Sequence, residues 1–234
     1  MGAFRDRSPR SRAQIVRRVC DGLQALYGVP RLGNPRRPLD DLFFILVSNR
    51  TASPSAARVF RSLKGRFPRW QVLAETRARV LERVLKPAGL SAKKAKQMRG
   101  IARRLLSEFG SCSLAPLKNL SDREVLEYLC SLPGVSTKVA QCVMMYTMGR
   151  LVLPVDVHVH RVSTRLGWVE KKRADQSHDI LARLVPMRRR QAFHVDCIVH
   201  GRTVCTSSRP RCSACAIGRH CEWPMRNGNE DTTP

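Results

Sequence analysis

The chain has 234 residues and no apolar run near the roughly 20 that a helix needs to cross a bilayer. That excludes a helical membrane-spanning protein and leaves a soluble or peripheral one. Acidic residues are scarce, with 18 Asp and Glu against 43 Lys and Arg, for a net charge of +25. No alternating apolar–polar pattern runs for more than a few residues, which argues against sheets. No secretory signal is visible, so the expected setting is intracellular, cytoplasm or nucleoid, with organellar targeting as the alternative. Repeats and low-complexity blocks are lacking outside the two tails.

What is present is positive charge, spread along the chain. A field of that sign and size points to a polyanion, above all nucleic acid. A membrane surface is the weaker reading, because no basic amphipathic anchor carries aromatics. The first 18 residues hold six Arg and one Asp. They read as a flexible basic arm over 1–14. The end, NGNEDTTP (227–234), reads as a disordered tail.

Helical periodicity dominates the rest. Helices are expected at 12–27, 40–50, 53–67, 76–89, 91–110, 121–132, 136–149, 157–167, 174–185 and 188–201. Ser53 followed by Pro54 marks one start, and Ser121 with Glu124 three residues later makes a capping box. The fold class is all-α.

Nine cysteines are present. Four of them, Cys205, Cys212, Cys215 and Cys221, stand in CTSSRPRCSACAIGRHC with the spacing C-x6-C-x2-C-x5-C. Inside a cell such a cluster reads as a metal site rather than as disulfides. Four thiolates suit either one tetrahedral ion or an iron–sulfur cluster, and their softness does not separate the two.

The stretch LPGVSTK (132–138) breaks one helix with Pro133 and Gly134 and starts another near Ser136. The free N–H groups of that second helix favour an anion, and Gly134 lets the backbone approach it. In so basic a chain the anion is read as a DNA phosphate. Lys138 falls in the first turn, where the helix dipole disfavours a positive charge and so favours an uncharged, nucleophilic amine. Asp156, in LPVDVHVHRV, is a carboxylate in an apolar stretch just before a helical segment. It fits an N-cap as well as a chemical role.

Taken together these motifs resemble the helix–hairpin–helix DNA glycosylase superfamily, in its endonuclease III branch, over roughly residues 15–224. LPGVSTK looks like the family hairpin, which places the catalytic lysine at Lys138. VDVHVHRV looks like the aspartate motif, which places the catalytic aspartate at Asp156 and a nearby family histidine at His158. The cysteine spacing is that of the family's [4Fe–4S] loop. The resemblance therefore implies iron–sulfur at Cys205, Cys212, Cys215 and Cys221, a choice that spacing alone leaves open. It implies two helical domains with a DNA cleft between them. One is a six-helix barrel with the hairpin, at 31–151. The other is a discontinuous cluster domain, at 15–30 and 152–226.

The implied reaction is DNA base excision on double-stranded DNA by a monomer acting as glycosylase and AP lyase. Lys138 forms a Schiff base, Asp156 supports it, and β-elimination nicks the strand. DNA contacts are expected from Pro133, Gly134, Val135, Ser136 and His158. AGLSAKKAK (88–96) resembles the loop whose leucine wedges into the duplex, here Leu90, with Lys93, Lys94 and Lys96 following the backbone. SNRTA (48–52) departs from the family's Ser-Ala-Gln-Ala-Thr and puts Arg50 where a glutamine fills the gap left by the flipped base. Oxidised pyrimidines are the expected substrates. Residues 138–169 and 204–215 also resemble plant 5-methylcytosine glycosylases, which keeps mismatched thymine or uracil and modified cytosine as alternatives, along with a mainly AP-lyase activity. The rival classes are a non-enzymatic DNA-binding module and a zinc-ribbon RNA-binding protein.

Overall fold

A computed structural model describes residues 3–49, 51, 53–170 and 176–223. Arg50 and the 227–234 tail, both named above, lie outside the described residues. Among those residues the regular structure is helical, with ten α-helices and short 3-10 turns. The chain divides into two compact units, Gly33–Arg150 and the segments on either side of it, up to Leu32 and from Leu151.

The unit Gly33–Arg150 holds six helices: α2 (Pro38–Ser48), α3 (Ser53–Arg66), α4 (Ala78–Leu85), α5 (Ser91–Phe109), α6 (Asp122–Ser131) and α7 (Thr137–Tyr146). Local chemistry sets their ends. Pro38 opens α2, where its missing N–H costs nothing. Asp40 and Asp41 therefore lie inside the first turn rather than capping it. Ser121 and Glu124 form the reciprocal capping box of α6. Gly110 ends α5 in the left-handed region. Leu42, Phe43, Leu63, Leu81, Met98, Ile101 and Leu105 are fully buried and form much of this unit's interior. The helix expected at 76–89 stops at Leu85, because Pro87 enforces a 3-10 turn over Lys86–Ala88.

The other unit holds α1 (Pro9–Tyr27), α8 (Val157–Arg165), α9 (Ser177–Leu184) and α10 (Arg190–Thr203). Its core joins Val16, Val19 and Leu23 of α1 to Val159 and Val162 of α8 and to Phe193 and Cys197 of α10. The flexible arm expected over 1–14 is corrected over its described part. Phe4 is buried against the Trp168 ring, 5.7 Å between centroids. Arg5 pairs with Glu170 at 2.6 Å. Ser8 caps α1, accepting from Ser11 N–H, and Pro9 takes its first position. The arginines of 9–14 are thus helix residues. No described helix is long and apolar enough to cross a membrane.

Candidate active site

The hairpin between α6 and α7 is built on α5. Leu132 and Val135 are buried, and Val135 N–H closes the turn on Leu132 C=O at 3.2 Å. Val135 is therefore the plug of the turn, with neither side chain nor N–H left for DNA, which corrects its expected role. Gly134 has φ 77°, and a Cβ there would lie 1.8 Å from the Gln97 side-chain nitrogen. Only glycine fits without displacing Gln97 or straining the backbone. Pro133 packs on Gly100, where an added Cβ would meet its ring at 3.1 Å. Pro133, Gly134 and Ser136 are exposed, and Ser136 caps α7 by accepting from Val139 N–H at 3.5 Å.

Lys138 is the second residue of α7 and is half-buried. It sits at the positive end of the helix dipole. A carboxylate not anticipated from sequence belongs to the same unit, in α2, which packs on α7. Asp41 is fully buried; Asn34 donates to its Oδ1 at 2.6 Å, and its Oδ2 has no hydrogen-bond partner. Burial pushes its pKa up to about 7, against the lowering effects of Asn34 and of the Lys138 charge. The signal was present in LDDLFF, where flanking apolar residues put one of two adjacent aspartates on the inward face.

Asp156 caps α8. Its Oδ1 accepts from His158 N–H at 2.9 Å and Val159 N–H at 2.8 Å. The extended segment before it is held at two carbonyls: Arg190 donates to Leu151 C=O at 2.6 Å, and His194, buried, meets Pro154 C=O at 2.9 Å. Asp156 is thus a carboxylate fixed by its own helix and by α10. The His158 ring meets Arg161 at 3.0 Å, and Arg161 in turn donates to the carbonyls of Gly201 and Cys205.

Leu90 is 53% exposed at φ 49°, a region that costs a leucine free energy. Lys93 is exposed. Lys94 is not: it is 3% exposed, and its amine donates to Val47 C=O, Ala88 C=O and Thr51 Oγ1 at 2.7, 2.9 and 3.0 Å. The expected contact of Lys94 with the DNA backbone is corrected, since its charge is inside the protein.

None of the nine cysteines is in a disulfide. Cys205, Cys212, Cys215 and Cys221 line one small pocket with Arg165 and Trp223. Arg165 donates to Cys205 Sγ at 3.1 Å and stacks on Trp223, 4.5 Å from its ring. His200 Nε2 lies 3.5 Å from Cys215 Sγ, and its Nδ1 meets Tyr27 Oη at 2.9 Å. Burial pushes Cys221 up to about 12 and raises Cys215, with neighbouring thiols adding to both. Cys215 and Cys221, half-buried and held toward the thiol form, are donors that need a metal's positive charge to become thiolates. Among the described residues no three His, Cys, Asp or Glu converge on a point that would hold a single ion; the thiols surround a pocket instead.

The fold matches that of solved DNA glycosylases. A structure of an endonuclease III–DNA complex superposes with a TM-score of 0.80 at 21% identity, covering 92% of this chain and 97% of that one. A thermostable thymine-DNA glycosylase gives 0.77 at 18% identity, covering 91% and 98%. In sequence, residues 44–187 match the HhH-GPD superfamily of base excision DNA repair proteins, and the chain belongs to that superfamily.

A candidate DNA glycosylase of Arabidopsis thaliana is 34% identical over 175 residues, 73% of this chain and 58% of that protein. Endonuclease III of Thermotoga maritima is 29% identical over 199 residues, 85% of this chain and 89% of that protein. The Arabidopsis DNA glycosylase/AP lyase ROS1 is 28% identical over 170 residues, 65% of this chain and 12% of that protein. This chain therefore spans well under two thirds of the two plant relatives.

Proposed function

We propose that the protein is a DNA glycosylase with AP lyase activity acting on double-stranded DNA that carries a damaged base or an abasic site. The observation that carries this reading is Lys138 in the first turn of α7, directly after a hairpin in which Pro133, Gly134 and Ser136 are exposed. Hairpin and helix N-terminus offer N–H groups to a phosphate. The sugar C1′ is out of reach inside a stacked duplex, so the nucleotide must be flipped. The Lys138 amine then attacks C1′ as the C1′–N bond breaks and the base leaves with the bonding pair. Asp156 offsets the positive charge that develops on the sugar. After the sugar ring opens, the amine nitrogen and C1′ share an iminium bond. Loss of a C2′ proton expels the 3′ phosphate by β-elimination, and water hydrolyses the imine to return Lys138.

The four cysteines fit a [4Fe–4S] cluster, with Cys205, Cys212, Cys215 and Cys221 as its ligands. When bound, the cluster supplies four iron–sulfur links that fix the loop. Arg165 and His200, which contact Cys205 and Cys215, would hold those two side chains in place for it. Arg209, Arg211 and Arg219 are exposed on the same loop and are available to phosphates.

For the base removed, oxidised pyrimidines are the first choice, in line with the endonuclease III relatives. Mismatched thymine or uracil, or modified cytosine, is the second, favoured by arginine at position 50 in place of glutamine and by the resemblance of residues 138–169 and 204–215 to plant 5-methylcytosine glycosylases. Arginine is a strong donor to guanine edges.

The test is borohydride trapping on abasic duplex DNA. Wild type gives a stable adduct. Lys138→Gln gives none and still binds the duplex. An adduct at full yield from Lys138→Gln removes the assignment. A panel of duplexes with thymine glycol, uracil, G·T and 5-methylcytosine then identifies the base. A brown preparation holding about four irons per chain supports the cluster, and a colourless zinc protein contradicts it.

A further inference from the structure

Lys94 is a charged side chain inside the protein that the reaction does not use. Its amine is bound on one side by Val47 C=O, at the end of α2, and by Thr51 Oγ1; on the other side it is bound by Ala88 C=O. Thr51 Oγ1 itself donates to Ala88 C=O at 2.6 Å, which closes the network. The backbone of Lys94 adds a further tie, since its N–H donates to Leu90 C=O at 3.0 Å. The two residues between those carbonyls, Gly89 and Leu90, both have positive φ, 67° and 49°. A leucine held there, with half its surface in solvent, persists only when its surroundings over-determine it. Lys94 supplies that determination by holding the carbonyls of Ala88 and Leu90 at once.

Three neutral oxygens do not fully replace the water an ammonium loses, and a packed methionine would fill the same space at lower cost. Stability alone therefore does not explain a lysine. What an ammonium does that methionine cannot is join three oxygens from separate segments in one fixed geometry. Those segments flank the two positions assigned above to reading the duplex. Val47 and Thr51 bracket position 50, and Ala88 precedes Leu90.

We propose that Lys94 is a positioning residue that locks the segment bearing position 50 to the segment bearing Leu90, so that gap filling and wedging occur as one event. The proposal rests on the base-excision reading. It assigns phosphate contact to the exposed Lys93 and Lys96 and withholds it from Lys94.

The test is equilibrium binding to two duplexes, one with a tetrahydrofuran abasic analogue and one undamaged. The K94M variant is expected to lose its preference for the abasic duplex by about tenfold, the scale on which a network change reaches a site. Its affinity for undamaged DNA stays within about twofold, with an unchanged salt slope. In an L90A background K94M removes little further preference, because both act through one loop. T51V, which deletes one of the three acceptors, shifts the preference in the same direction by less, and it decides the matter if K94M does not fold. An equal loss on both duplexes with a shallower salt slope makes Lys94 a phosphate contact and overturns the proposal. An unchanged preference overturns it as well. A wild-type protein with no preference for the abasic duplex sinks the base-excision reading itself, before any variant is compared.

Discussion

Asp41 and Lys94 are charged residue types placed in the interior. Each buries a group that water would otherwise solvate. For Asp41 the sign of the pH effect follows directly. Its folded pKa, about 7, lies above the ordinary carboxylate value of 3.8. The protonated form is therefore favoured in the folded state, and its contribution to stability is full below about pH 4. It declines as pH rises and is gone above about pH 7. Asp41→Asn keeps a partner for Asn34 and removes the ionisation. Relative to wild type, the variant should gain roughly 1–3 kcal/mol between about pH 4 and about pH 8, read from urea unfolding at both. An unchanged difference across that range contradicts a buried, titrating carboxyl. Lys94 was open to a correct reading from spacing alone: 94, 98, 101 and 105 form the inward stripe of α5. A run of lysines in a basic chain suggested phosphate contacts, and charge outweighed periodicity in that reading.

Capping governs what can be asked of the helices. Asp156 holds the first N–H groups of α8, and asparagine caps as well as aspartate. Asp156→Asn should leave stability within about 0.5 kcal/mol and cut strand nicking by about a hundredfold or more. Asp156→Ala should lose the same activity and about 1 kcal/mol of stability. Thermal melts beside single-turnover nicking separate the two roles; full activity in Asp156→Asn reduces the aspartate to a cap. Element by element, the longer helices were legible, because apolar residues at helical spacing and Ser, Pro and Gly at the ends speak locally. The 3-10 turns at Trp70–Ala74 and Ala115–Asn119 were not, since single turns have too few residues to show a period. The end of α4 was placed late because LKPAG reads as helix until proline's geometry is counted.

For the molecule as a whole, the excess of 25 positive charges predicts binding that weakens steeply with salt. A plot of log affinity for undamaged duplex against log salt should have a slope of about −5 or steeper, measured by fluorescence anisotropy. A slope near zero contradicts a phosphate-led interface. Charge balance and cysteine spacing announced this level of organisation without structure. The N-terminal segment did not, because one phenylalanine among arginines carries no pattern, and only the fold shows it lodged against Trp168. Position 50 was legible only as a departure from a motif.

The most direct measurement is the site of covalent attachment. Wild-type protein is reduced with borohydride on abasic duplex DNA, digested, and mapped by mass spectrometry. The sugar remnant is predicted on the peptide containing Lys138. A remnant on the N-terminal amine or on another lysine, or no adduct from protein that binds the duplex, contradicts a reaction run by that amine.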